Sequence, residues 1–116
     1  MKVQSNIILC EVTNMKVVIC GVGNEKGFFS ACKGVEHRHR VYGIDSQDLN
    51  EIKYQELVKD APNCYFKQVD MEKELNLLWE IGQIKPDLVI DCTRYPKESE
   101  ALQKACTKKH WDYKRV

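Results

Sequence analysis

The segment from Met15 to Gly27, with the sequence MKVVICGVGNEKG, constrains the fold of this chain most. Residues 17–20 form a continuous apolar and mostly β-branched run, which is typical of a strand buried on both faces of a parallel sheet. Gly21 and Gly23 follow this run and predict a tight turn, where a phosphate can approach the backbone without meeting a Cβ. A helix that begins here would offer free N–H groups to the anion. The segment therefore predicts a strand, a glycine loop and a helix, with an anion site at the loop.

Composition limits the classes to which the chain can belong. The 116 residues are 43% hydrophobic, which is enough for the core of one domain, and the formal net charge is +1. This charge provides no basic field, so neither nucleic acid nor an anionic membrane is the expected partner. No apolar run approaches the roughly twenty residues of a membrane helix or forms a secretory signal. We therefore expect a cytoplasmic protein.

The cysteine and histidine residues do not predict a disulfide framework or a metal site. The six cysteines are scattered, at positions 10, 20, 32, 64, 92 and 106, which favours buried thiols that act as small apolar side chains. His37 and His39 have no cysteine nearby and are predicted to lie in a solvated loop. Cys92 is not expected to be a nucleophile, because the sequence places no histidine to activate it.

The rest of the chain alternates between strand and helix patterns. Further strands are predicted at 40–45, 64–69, 87–93 and 111–116, and helices at 25–33, 49–62, 72–82 and 97–109. This alternation predicts an α/β fold with a doubly wound parallel sheet of about five strands, covered by helices on both faces.

Three details of the helices follow from local signals. Gly34 is predicted to cap the end of the first helix, and Ser46 or Asp48 to cap the start of the second. The buried stripe of the third helix is predicted to consist of Leu75, Leu78, Trp79 and Ile81.

The first fourteen residues form a segment separate from the predicted domain at 15–116. The sequence NIILCEV at 6–12 has the pattern of a strand. We interpret residues 1–14 either as an extra strand that pairs with an edge of the sheet or as an extension upstream of the domain.

A doubly wound sheet binds its ligand outside the carboxyl ends of the strands, where the strand order reverses. Asp45 ends the second strand at the position where a carboxylate accepts hydrogen bonds from ribose hydroxyls and repels a 2′-phosphate, which favours NAD over NADP. The alternative is that Asp45 is a helix cap or a turn residue. For the glycines, the alternative is an ordinary turn between strand and helix.

Residues after the third and fourth strands complete the predicted site. Asp70 and Met71 are expected to flank an adenine, although Asp70 could equally be a helix cap. Asp91, Cys92 and Thr93 end the fourth strand and are expected to face the ribose and the nicotinamide, although Asp91 could instead be a structural carboxylate. The predicted cofactor-binding residues are Gly21, Val22, Gly23, Asn24, Gly27, Asp45, Ser46, Asp70, Met71, Cys92 and Thr93. No metal ligand is predicted.

Four segments carry a family resemblance: KVVICGVG at 16–23, HRVYGIDSQD at 39–48, FKQVDMEKEL at 66–75 and KPDLVIDCT at 85–93. From residue 15 onward, the chain resembles the nucleotide-binding half of NAD(P)-dependent Rossmann proteins. It is most similar to the amino-terminal domain of saccharopine dehydrogenase-type reductases, and also to extended short-chain dehydrogenases and sugar epimerases. The segment at 101–113 resembles the cysteine-containing helix and following strand of the saccharopine type. The resemblance implies a domain that binds NAD(P) in an oxidoreductase or epimerase.

Two departures from the family pattern limit what the resemblance implies. The third glycine, Gly27, falls one place late, so the loop has the spacing G-x-G-x-x-x-G. A Tyr-x-x-x-Lys pair of the short-chain type is missing, and we expect the substrate domain to be absent. The catalytic residues are therefore unknown, and we expect a second copy of the chain or a separate substrate domain to supply them.

Two other functional classes share part of the pattern. An S-adenosylmethionine-dependent methyltransferase also has a glycine loop and acids at the positions of Asp45 and Asp70. That class normally has an acid at the end of the first strand, where this chain has Ile19. The other alternative is a non-catalytic, regulatory nucleotide-binding module.

Overall fold

The computed structural model describes residues 14–116, so the strand predicted at 6–12 and Cys10 lie outside the described residues. The strands are β1 (Lys16–Cys20), β2 (Arg40–Asp45), β3 (Cys64–Gln68), β4 (Leu88–Asp91) and β5 (Tyr113–Arg115). The helices are α1 (Glu25–Glu36), α2 (Gln55–Asp60), α3 (Glu74–Ile84) and α4 (Pro96–Lys109), with a 3₁₀ turn at Leu49–Glu51.

The five strands form one parallel sheet in the order β3-β2-β1-β4-β5. The central strand β1 pairs with β2 on one side, with Lys16 opposite Arg40, and with β4 on the other, with Val17 opposite Leu88. The predicted Rossmann-like α/β fold is therefore confirmed. Because the chain leaves β1 toward β2 and later returns to β4 on the other side, a crevice opens at the carboxyl ends of β1 and β4.

The sheet separates two hydrophobic cores. Val18 and Cys20 of β1 pack in the core beneath α3 and α4, with Leu77 and Leu102. The alternate residues of β1 pack on the opposite face, in a core that also contains Ala31 of α1 and Tyr54. Since successive side chains of a strand point to opposite faces, only a strand that is apolar at every position can fill both cores.

The first two helical connections differ from the prediction. Helix α1 continues past Gly34 to Glu36, so Gly34 is not its cap. A Cβ at Gly34 would lie 2.8 Å from Val41 Cγ2, so this glycine lets α1 pack closely against β2. The helix predicted at 49–62 is divided into the 3₁₀ turn and α2, because Ile52 between them has an extended backbone. Asp48 caps the 3₁₀ turn by accepting a 2.9 Å hydrogen bond from the backbone N–H of Asn50.

The predicted buried stripe of α3 is partly wrong. Leu75 and Trp79 are 79% and 68% exposed, whereas Leu77 and Ile81 are fully buried. Helix α3 begins at Glu74, and residues four apart lie on the same side of a helix. Leu77 and Ile81 therefore face the sheet together, and Leu75 and Trp79 face solvent together.

The five described cysteines are free thiols, and Cys20, Cys64, Cys92 and Cys106 are buried. Cys92 follows β4 rather than lying within it. Burial raises the pKa of the Cys20 thiol well above 9.0. In the part of the chain from 14 to 116, none of the helices is both long enough and apolar enough to cross a membrane.

Candidate functional site

The glycine loop begins at Gly21, which has a φ angle of +87°. A Cβ at this position would lie 2.8 Å from the carbonyl carbon and oxygen of Cys92. The backbone N–H of Gly21 donates a 2.8 Å hydrogen bond to the carbonyl of Ile44 in β2. Glycine is therefore required at the exact point where β1, β2 and the end of β4 meet.

Gly27 allows α1 to begin directly against this loop. A Cβ at Gly27 would overlap the carbonyl oxygen of Gly21 and lie 2.6 Å from Val22 Cα. The side chain of Val22 is fully buried in the core, so only its backbone can face a ligand. The late position of the third glycine is thus compatible with close packing of helix against loop.

Asn24 connects the start of α1 to the end of β4. Its Oδ1 accepts a 2.9 Å hydrogen bond from the backbone N–H of Gly27, which makes Asn24 the N-cap of α1. Its Nδ2 donates a 2.7 Å hydrogen bond to the carbonyl of Cys92. Within residues 14–116, no protein acceptor takes the backbone N–H groups of Glu25 and Lys26. These two free donors, at the positive end of the helix dipole, face the crevice and can bind an anion.

The carboxylate of Asp45 is directed at the loop. Its Oδ2 accepts a 2.7 Å hydrogen bond from the backbone N–H of Gly23, and its Oδ1 accepts one of 3.0 Å from the backbone N–H of Gln47. Asp45 is only 4% exposed. Asp45 is thus a turn residue that also contacts the glycine loop. Each carboxylate oxygen can accept two hydrogen bonds, so Oδ2 can still accept one from a ligand.

Two adjoining clefts lie at the carboxyl edge of the sheet. The first has a volume of about 300 Å³ and the second about 630 Å³. They share Asn24, Thr93 and Arg94. The predicted residues that line the first cleft are Gly21, Gly23, Asn24, Asp45, Ser46, Met71 and Thr93. Of the predicted residues, Asn24, Cys92 and Thr93 line the second.

Asp70 does not line either cleft. Its side chain lies in an exposed turn, where Oδ1 accepts a 3.2 Å hydrogen bond from the backbone N–H of Glu72. Asp70 is also not the N-cap of α3, which was the alternative prediction, because Lys73 occupies that position. Its carboxylate instead stabilises the turn between β3 and α3.

Asp91 is a structural carboxylate below the clefts. It is fully buried and accepts hydrogen bonds from Thr93 Oγ1 at 2.6 Å, Ser99 Oγ at 2.7 Å and Tyr113 Oη at 2.6 Å. It also forms a 2.8 Å ion pair with Arg115. Burial alone would raise the pKa of Asp91, but the hydrogen bonds outweigh burial and hold it below its ordinary value. This network joins β4, α4 and β5.

Several cleft residues were not predicted from the sequence. In the first cleft these are Gln47, Arg94, Tyr95 and Glu98, and in the second they include Lys26 and Arg115. Glu98 is only 7% exposed. Burial and the nearby carboxylates, first Asp45 and then Glu72, raise the pKa of Glu98 to about 6. Glu98 lies two residues after Pro96, which begins α4. This position at the start of a helix that follows a strand is the sequence signal that places Glu98 near the crevice.

The fold and the crevice together define a Rossmann-like domain. No family model and no curated protein matches the sequence. Among solved structures, the chain is similar to dTDP-glucose 4,6-dehydratase from Bacillus anthracis in complex with NAD, with a TM-score of 0.73 and 13% identity over 88% of this chain and 37% of that one.

Two further solved structures have the same fold. One is UDP-glucose-4-epimerase from Stenotrophomonas maltophila with bound NAD and formylated UDP-arabinopyranose, with a TM-score of 0.73 and 15% identity over 86% of this chain and 35% of that one. The other is the Bordetella bronchiseptica enzyme WbmH in complex with NAD⁺, with a TM-score of 0.66 and 21% identity over 83% and 36% of the two chains. The chain thus spans little more than a third of the length of each of these enzymes.

Proposed function

We propose that residues 15–116 form the NAD-binding domain of an oxidoreductase or epimerase. The observation that carries this proposal is the juxtaposition of two free helix N–H groups, at Glu25 and Lys26, with a glycine loop that contacts the carboxylate of Asp45. A dinucleotide needs both features, because it presents an anionic diphosphate and a ribose with free hydroxyls. Support also comes from the three similar solved structures, each of which contains NAD.

The residues at the crevice fit the separate parts of this cofactor. The start of α1 and the cationic side chains of Lys26 and Arg94 would hold the diphosphate. Asp45 would accept hydrogen bonds from the ribose and disfavour a 2′-phosphate, so NAD is proposed rather than NADP. Asn24 would keep the loop in position by its hydrogen bond to Cys92.

Bound NAD would supply the hydride acceptor. Cys92 and Thr93 are the candidate residues beside the nicotinamide. A substrate must be oriented against the cofactor for hydride transfer, so a second copy or a separate substrate domain is proposed as the partner. The closer resemblance to the saccharopine dehydrogenase type and a cytoplasmic location stay predictions.

Calorimetric titration of the purified chain with NAD, NADP, S-adenosylmethionine and ATP tests the proposal. We expect NAD to bind most tightly. We expect Asp45→Asn to weaken NAD binding by about tenfold, because it removes a charged acceptor from the ribose end of the site. Asp60→Asn is the matched control, since Asp60 is exposed at the end of α2, away from the crevice.

Three results would contradict the proposal. Equal affinity for NAD and S-adenosylmethionine would remove the reason to prefer a dinucleotide, and tighter binding of S-adenosylmethionine would favour the methyltransferase alternative. The absence of binding by all four ligands would leave a Rossmann-like domain without this function.

A further inference from the structure

Glu98 is a buried acid in the wall of the first cleft. It lies in the first turn of α4, only 7% of it is exposed, and it lines the same cleft as Asp45 and Ser46. Within residues 14–116, no side chain or backbone donor forms a hydrogen bond with its carboxyl group. Its carboxyl oxygens are not sealed from the cleft, so a ligand that occupies the cleft and brings hydrogen-bond donors can bind them directly.

The backbone holds Glu98 in this position. Pro96 occupies the first turn of α4, and the backbone N–H of Glu98 donates a 3.0 Å hydrogen bond to the carbonyl of Tyr95. Acidic residues in a first helical turn are common, because they interact favourably with the helix dipole. Acidic residues on a helix are usually exposed, as is Glu100 two residues later on α4, whose side chain is 70% exposed and pairs with Lys104. Glu98 differs because it is directed into the cleft.

The charges around Glu98 are mostly negative. The pKa of Glu98 is raised to about 6. Burial is the largest cause, followed by the carboxylates of Asp45, Glu72, Asp70 and Asp91, in that order. Arg94 is a cation that lines the same cleft, but its side chain is exposed to solvent. Above pH 6, two carboxylates therefore face the ligand at this end of the crevice.

We propose that Glu98 is a specificity-determining residue that acts with Asp45 to select ligands whose ribose hydroxyls are free and to exclude those that carry a phosphate there. This inference rests on the proposed function. Ribose hydroxyls can donate hydrogen bonds to the two carboxylates, whereas a phosphate can only add negative charge beside them. Asp45 and Glu98 line the same cleft, so the negative charge of Glu98 adds to the repulsion that Asp45 alone would exert on a phosphate.

Isothermal titration calorimetry of the full chain with NAD and NADP at pH 7.5 tests this role. We expect Glu98→Gln to raise the affinity for NADP relative to NAD about five- to tenfold, which is the effect expected from one like charge in a partly buried site. We expect Glu100→Gln to leave the ratio unchanged, because Glu100 is exposed on the same helix and does not line the first cleft.

A second measurement does not depend on the fold of a variant. Titration of the unchanged chain at pH 5.5 brings the pH below the pKa of Glu98 and so increases its protonated fraction, and the NADP-to-NAD affinity ratio is expected to move toward that of Glu98→Gln. Because the 2′-phosphate also titrates near pH 6, the same pH change in Glu98→Gln measures the ligand's own contribution.

The outcomes separate this inference from the proposed function. If the unchanged chain binds NAD but Glu98→Gln leaves the affinity ratio unaltered, the specificity role is wrong and the NAD-binding function stands. An equal change in the ratio with Glu100→Gln would also overturn the role, because it would reflect the net charge alone. If the unchanged chain binds neither dinucleotide, both proposals fail.

Discussion

The backbone N–H of Gly23 donates a 2.7 Å hydrogen bond to Oδ2 of Asp45, which lies 22 residues later in the sequence. This bond joins the glycine loop after β1 to the carboxyl end of β2. The other carboxylate oxygen is held by the backbone N–H of Gln47. The loop and the acid that define the candidate site are therefore oriented by each other before any ligand binds, which reduces the entropy cost of binding.

Gly23→Ala is expected to disturb this relationship directly. A Cβ at Gly23 would lie 2.7 Å from Asp45 Oδ2, 2.8 Å from Gln47 Nε2 and 2.9 Å from Ile52 Cγ2. The Asp45 carboxylate must move, so we expect NAD affinity to fall by about tenfold and the free energy of unfolding to fall by about 1–3 kcal/mol. Calorimetric titration and urea denaturation measure the two effects.

Gly82→Ala is the control for that substitution. Gly82 lies within α3, and the nearest atom to an added Cβ is Trp111 Cζ2 at 3.9 Å. Alanine should stabilise this helix by about 0.5–1 kcal/mol and leave ligand binding unchanged. Comparable losses of NAD affinity in the two variants would show that Gly23 has no special relation to Asp45.

Asp91→Asn is expected to lower the free energy of unfolding by about 1–3 kcal/mol, because it removes the buried charge that accepts hydrogen bonds from Ser99 and Tyr113 and pairs with Arg115. The folded-state pKa of Asp91 is below its ordinary value of 3.8, so the carboxylate contributes stability above that value. This contribution is lost as the pH falls through the folded-state pKa. The difference between the two proteins should therefore be constant from pH 5 to 7 and shrink in stronger acid.

Urea denaturation from pH 2.5 to 7 measures this dependence. Asp112→Asn provides the comparison, since Asp112 is exposed just before β5 and its side chain lies outside the Asp91 network. A loss below 1 kcal/mol in Asp91→Asn would mean that the network contributes little to stability.

The alternation of strands and helices could be predicted from sequence because each buried strand is a short apolar run between turn signals. The range 40–45 is the clearest case, since the strand predicted there matches Arg40–Asp45 in the structure. The face of α3 could not be predicted as reliably. Apolar residues occur around much of that helix, so their spacing alone predicted the buried Ile81 but missed Leu77 and included the exposed pair Leu75 and Trp79.

Part of the candidate site could be predicted, because several of its residues come directly after predicted strands. Gly21, Gly23 and Asp45 follow strands directly, so the topology brings them to one edge of the sheet. Glu98 escaped prediction because an acid in a first helical turn normally stabilises the helix and needs no further role. The pairing of Asp91 with Arg115 depends on the adjacency of β4 and β5, which no local pattern encodes.

Asn24→Ala is expected to destabilise the protein by about 1–2 kcal/mol, because it removes the N-cap of α1. The same change removes the hydrogen bond to the Cys92 carbonyl, so the loop after β1 loses its connection to the end of β4. We therefore also expect weaker NAD binding. Asn76→Ala, on the exposed side of α3, should change neither property by a comparable amount. Equal stability of the two variants would argue against the capping role.

Glu98→Gln is expected to stabilise the fold at neutral pH while leaving its stability unchanged in acid. The folded-state pKa of Glu98 is about 6 and its ordinary value is 4.5, so folding favours the protonated form. The stability that this acid contributes is fully present below pH 4.5 and is lost as the pH rises through about 6. Above that pH the ionised carboxylate should cost about 1–2 kcal/mol, which glutamine avoids.

Thermal unfolding at pH 4.5 and pH 7.5 tests whether Glu98→Gln stabilises the fold at neutral pH. The melting temperature of Glu98→Gln should exceed that of the unchanged chain at pH 7.5, and the two should converge at pH 4.5, because a protonated glutamate and a glutamine are both neutral. Glu100→Gln should show no such convergence, since Glu100 is exposed and its pairing with Lys104 is favourable only when it is ionised. A lower melting temperature for Glu98→Gln at pH 7.5 would mean that the Glu98 carboxylate stabilises the fold rather than opposing it. In that case the ionised Glu98 would have a structural partner within the protein, and the role proposed for Glu98 in ligand selection would be wrong.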